Sequence, residues 1–123
     1  MQKCSKQFKI IKLPNVLILQ LNRFDNSLNK ICFFVDFPID NLDINQFVDP
    51  ILNSKKKYHL KSIIEHYGNY TNSNLMSDTG NHYISKCLND ELKTWYIYDD
   101  LSVQSINNLE TLKKSEAYIL FYC

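Results

Sequence analysis

Apolar and polar positions alternate along much of the chain, and the commonest spacing is two residues, the repeat of a half-buried strand. KQFKIIKLP, from Lys6 to Pro14, and NVLILQLNRF, from Asn15 to Phe24, are rich in β-branched and aromatic side chains. Pro14 separates them because it has no amide hydrogen to give to a ladder, so two strands are expected. DNSLN, from Asp25 to Asn29, has the composition of a turn, and KICFFVDFP carries a third strand to Pro38. IDNLDINQFVDPILNSKKK reads mostly as a connection that tucks Leu42, Ile44, Phe47 and Val48 against a core and leaves Lys55, Lys56 and Lys57 in solvent.

The period changes in YHLKSIIEHY, where Leu60, Ile63, Ile64 and Tyr67 fit the i, i+3, i+4, i+7 face of a helix. GNYTNSNLMSDTGN, which follows, is a polar loop. HYISKCL and KTWYIYD then flank NDE as a hairpin, SINNLETLKK has the look of a short helix, and EAYILFYC closes as a buried strand.

The hairpin holds the candidate chemistry. A loop centred on Asp90 and Glu91 sets Lys86 opposite Trp95, Ile84 opposite Ile97 and His82 opposite Asp99. The aspartate then accepts the Nδ1 proton of the imidazole and leaves Nε2 free to act as a base on a third group. Asp100 points to the opposite face in this register, and takes the place of Asp99 if the strands slip. The plainer reading is a surface pair worth under about 1 kcal/mol, and spacing alone leaves both open.

Composition narrows the classes. With 14 basic and 13 acidic residues the net charge is +1, so no bulk electrostatic attraction to nucleic acid or to an anionic membrane is expected. No apolar run approaches the roughly 20 residues of a membrane span, and the first residues lead into no signal-peptide core, so an intracellular, soluble protein is expected. Cys4, Cys32, Cys87 and Cys123 lie far apart without a CxxC pair, which argues against a disulfide framework or a zinc knuckle. No metal or cofactor is called for, and at 123 residues the chain is one domain or part of one.

Taken in order, the blocks KQFKIIKLPNVLILQLNRF, DFPIDNLDI, YHLKSIIEHYG, GNHYISKC, WYIYDDLSV and AYILFY resemble the C-terminal half of ubiquitin-specific proteases, from about Lys6 to Tyr122. The resemblance implies an α+β, papain-like cysteine protease fold, of which this chain supplies the mainly antiparallel β palm. It implies thiol-dependent hydrolysis after the last glycine of ubiquitin, with ubiquitin, ubiquitinated proteins and the remainder of the same catalytic domain as partners. His82 takes the position of the family's catalytic histidine, Asp99 that of the acid orienting it, and His66 and Tyr83 positions lining the channel for the ubiquitin tail. The same likeness replaces the helix over Tyr58 to Tyr67 with a strand. No Gly-Asn-Thr-Cys-like box lies ahead of the strands, so the nucleophile is expected from elsewhere in the enzyme; a non-catalytic ubiquitin-binding or scaffolding domain is the alternative. Asn81 stands directly before His82 where the family has glycine, and the loop from Gly68 to Asn81 is longer than usual.

Overall fold

Six strands pair edge to edge: β1 (Leu17–Gln20), β2 (Leu60–Tyr67), β3 (His82–Asn89), β4 (Thr94–Asp99), β5 (Ser102–Ile106) and β6 (Ala117–Tyr122). They form a single sheet in the order β1-β6-β2-β3-β4-β5, with each neighbouring pair antiparallel. The computed structural model describes residues 4–27, 29–68 and 81–123. Most of the expected loop between β2 and β3 therefore lies outside the described residues. Among them no helix is long and apolar enough to cross a membrane, and the helical elements are short 3-10 turns.

YHLKSIIEHY is a strand because β2 occupies the middle of the sheet, between β6 and β3. A central strand is covered on both faces, and Leu60, Ile63, Glu65 and His66 are all buried. Irregular pairing with β6 at Leu60/Ser62 and Ile64/Glu65 disturbs the two-residue repeat, which is why the apolar spacing imitates a helix.

Two expected strands do not form. Lys6 to Pro14 makes no ladder: its backbone contacts are a bridge from Ile10 to Val48, with Ile10 bonded to residues 47 and 49, and Pro14 O, which accepts from Lys56 Nζ and the Tyr58 hydroxyl. Beyond the Phe24–Lys30 bridge and the bond from the Ile31 amide to Arg23 O, residues 32–38 join no ladder among the described residues, and Arg23 takes the carbonyls of Ile31 and Phe33. Its buried guanidinium donates to Ile31 O, Phe33 O and, at 2.8 Å, Ala117 O of β6. SINNLETLKK divides instead into the end of β5 and a 3-10 turn, Leu109–Leu112, capped by the Asn108 side chain on the Glu110 amide. One turn is all that the pair Leu109 and Leu112 supports, and Leu112 is fully buried.

The core lies on the sheet face that carries Ile63, Trp95 and Leu120, and it is closed by Phe37, Tyr58 and Leu112. Elsewhere large apolar side chains stand in water, among them Phe8, Phe33, Ile51 and Leu101. Produced by itself, the 123-residue chain is therefore expected to self-associate in size-exclusion chromatography, whereas a sharp monomer peak at high concentration would show this surface to be harmless.

Candidate active site

The β3–β4 loop sets the site. Asn89 Oδ1 accepts from the amides of Glu91 and Leu92, and Lys93 takes the left-handed conformation with φ 51°, so the turn runs through to Thr94. Its centre moves by one residue, and the pairs become Lys86 with Ile97 and Leu88 with Trp95. This corrects the expected register by two residues. A shift of two keeps every side chain on its face, so His82 and Asp99 become diagonal rather than direct neighbours and still meet.

They meet through the other nitrogen. His82 Nε2 lies 2.6 Å from Asp99 Oδ1, so Nε2 is engaged and Nδ1 is the nitrogen left to exchange a proton, the reverse of the expected assignment. Both side chains are roughly half exposed, which leaves space for a reacting group. Asp100 does not turn away as expected. It adopts φ 49°, a left-handed conformation aspartate tolerates, and its carboxylate comes within 4.8 Å of the other two ligand atoms. One imidazole and two carboxylates are the described group that could hold a cation by distance alone, but the imidazole nitrogen facing Asp99 already has its partner.

His66 and Tyr83 are direct partners across β2 and β3, with ring centroids 4.9 Å apart. Successive residues of a strand point to opposite faces, so this pair stands on the face opposite His82. Their exposures differ sharply: Tyr83 is 54% exposed and His66 is 1%. Phe24 and Tyr118 pack on the His66 ring at 5.8 and 5.9 Å, and Lys30 Nζ caps its carbonyl at 2.6 Å. Sequence reasoning overlooked Asn81 as a partner, seeing only a misplaced side chain in a tight turn. Its Oδ1 accepts from His66 Nε2 at 3.2 Å, so the departure from glycine supplies a hydrogen bond; Gly80 lies outside the described residues.

Burial makes the His66 imidazole harder to protonate than usual, with the Asn81 bond opposing and Lys30 reinforcing that effect. An unfolded histidine titrates near about pH 6.5, so below that value the unfolded chain binds a proton that the folded chain resists. Stability carried by this group is present above about pH 6.5 and is lost as the pH falls. Thermal unfolding between about pH 7 and pH 5 should show it: wild type loses more midpoint on acidification than His66→Gln does, and parallel curves would refute this.

Sequence reasoning also missed a buried ion pair on the core face. The Lys86 ammonium donates to Glu65 Oε1 and, at 2.8 Å, to Thr111 O, with side-chain exposures of 2% for Lys86 and 0% for Glu65. The Tyr67 hydroxyl donates to Glu65 Oε2 at 2.9 Å. Burial lowers the Lys86 pKa from its ordinary value while Glu65 opposes the shift. Only a charge inside an otherwise alternating strand signalled this in the sequence, and Lys86 was expected simply to face Trp95.

The family model described as ubiquitin carboxyl-terminal hydrolase matches residues 1–122. Ubiquitin carboxyl-terminal hydrolase 9 of Arabidopsis thaliana is 34% identical over 124 residues, covering 98% of this chain and 13% of the relative. Ubiquitin carboxyl-terminal hydrolase 2 of Homo sapiens is 31% identical, covering 98% and 19%. Among solved structures, a chain of the SAGA DUB module bound to ubiquitin aldehyde matches with a TM-score of 0.72 at 32% identity, covering 93% of this chain and 25% of that one. A chain of the yeast SAGA DUBm gives a TM-score of 0.71 at 33% identity, covering 93% and 26%. The chain thus spans less than a fifth of either curated relative and about a quarter of the solved chains.

Proposed function

Because this chain belongs to the ubiquitin carboxyl-terminal hydrolase family, we propose that it is the histidine-bearing palm of a thiol-dependent deubiquitinase, with His82 as general base and acid and Asp99 as its orienting partner. The observation that carries the reading is the 2.6 Å bond from His82 Nε2 to Asp99 Oδ1 at the open end of the sheet. That bond fixes the ring and directs Nδ1 towards an incoming thiol. A free cysteine thiol titrates near about 8.5, so at neutral pH it needs such a neighbour to be substantially thiolate.

Nδ1 takes the proton of a cysteine contributed by the rest of the catalytic domain, and the thiolate attacks the carbonyl carbon of the last glycine of ubiquitin. The imidazolium returns its proton to the leaving lysine amine as the carbon–nitrogen bond breaks, giving a thioester. Water, deprotonated by His82, then releases the ubiquitin carboxylate and the thiol. Asp99 stabilises the imidazolium formed in each half.

Ubiquitin is the partner, and a solved relative bound to ubiquitin aldehyde supports this. Tyr83 offers its exposed ring to the ubiquitin tail, and His66 backs it from beneath as a buried support. The test is turnover of ubiquitin bearing a fluorogenic C-terminal amide by the full-length polypeptide. Hydrolysis abolished by thiol alkylation is expected. Tight ubiquitin binding without any turnover would instead establish a non-catalytic ubiquitin-binding or scaffolding domain.

A further inference from the structure

The network of Lys86, Glu65 and Tyr67 is not used by the chemistry described above, yet it lies on the same face as the histidine. Tyr67 is the direct cross-strand partner of His82, so the two side chains project side by side. Glu65 and Lys86 follow on that face, each an even number of positions further in along β2 and β3. Every atom of the network is committed. Lys86 holds Glu65 Oε1 and Thr111 O, and Glu65 Oε2 accepts the Tyr67 hydroxyl, which Lys114 Nζ approaches to 3.5 Å.

We propose that Tyr67 is a positioning residue for His82: the buried Lys86–Glu65 pair clamps its hydroxyl, and the clamped ring forms the wall that holds the imidazole on Asp99. The inference rests on the deubiquitinase reading for its kinetic consequence. Three features support it. A buried ion pair contributes little to stability compared with two apolar side chains, so its presence beside a working histidine points to geometry instead. The pair ties β2, β3 and the 3-10 turn at Thr111 together, and Tyr67 is the member of the network that stands directly across from His82. Finally, burial and the adjacent Glu65 push the Tyr67 phenol well above its ordinary range, with Asp99 contributing, so the hydroxyl remains a donor.

Tyr67→Phe keeps the ring and removes the clamp. In the full-length polypeptide, kcat for the ubiquitin C-terminal amide should fall about tenfold with KM within about twofold of wild type, as expected for a reacting group that is bound normally but held loosely. A second readout needs no turnover. The downfield proton resonance of His82 Nε2–H, identified by its loss in His82→Gln, should be present in wild type and broadened away in Tyr67→Phe. Unchanged kcat and an unchanged resonance, with only a lower melting temperature, would overturn the inference and make the hydroxyl merely structural. If the polypeptide hydrolyses nothing, the deubiquitinase reading fails, and the resonance still decides the role of Tyr67: lost in the variant, the positioning holds; retained, it does not.

Discussion

Replacing His82 with alanine is expected to lower kcat/KM for ubiquitin C-terminal amides by roughly 10³-fold, near the middle of the range for losing a general acid–base group. The reason is that one side chain acts twice: Nδ1 activates the thiol and the same proton later leaves with the amine. The His82–Asp99 bond makes a graded companion prediction possible. Asp99→Asn keeps an acceptor oxygen for Nε2–H, as the Cys-His-Asn arrangement of papain-like proteases does, and should lose less than Asp99→Ala. Asp99→Ala should fall further, since it removes the oxygen that holds Nε2 and leaves only the Asp100 carboxylate within 4.8 Å. Steady-state kinetics on the full-length polypeptide reads all three, and equal activity of His82→Ala and wild type would remove His82 from the mechanism.

Lys86→Ala should be strongly destabilising, costing about 3 to 5 kcal/mol in chemical unfolding, because the Glu65 carboxylate would be left buried without its partner. Replacing both partners tests the cause. Lys86→Met with Glu65→Leu should recover most of that loss, since two apolar side chains of similar size leave no buried charge behind. If the double substitution is as unstable as Lys86→Ala, the damage comes from packing instead of an orphaned carboxylate.

Much of the sheet was legible because strands β1, β3, β4 and β6 announce themselves by alternation and by polar turns between them. The His82–Asp99 pair was legible for a subtler reason. The expected register was wrong by two residues, and an even error preserves the face on which a side chain lies. What misled the reading at Asn89 was a side chain taking two loop amides, which lengthened the turn without any glycine to mark it. Residues 31–38 look like a strand by composition, but Arg23, which no charge pattern reveals, takes the Ile31 and Phe33 carbonyls from the side. β2 was ambiguous because a strand covered on both faces has no polar side to set its period. Neither the Lys86–Glu65 pair nor the Asn81–His66 bond could be anticipated, since both join residues distant in sequence whose pairing depends on strand order and register.

The central claim, that His82 at the end of this sheet works on a thiol that attacks ubiquitin conjugates, is tested most directly by covalent capture. Ubiquitin carrying a C-terminal thiol-reactive group is incubated with the full-length polypeptide and with His82→Ala, and intact mass is followed over time. The account predicts that wild type gains the mass of one ubiquitin and that His82→Ala does so much more slowly. A folded wild-type polypeptide that gains no ubiquitin, or a His82→Ala variant labelled at the wild-type rate, would contradict it.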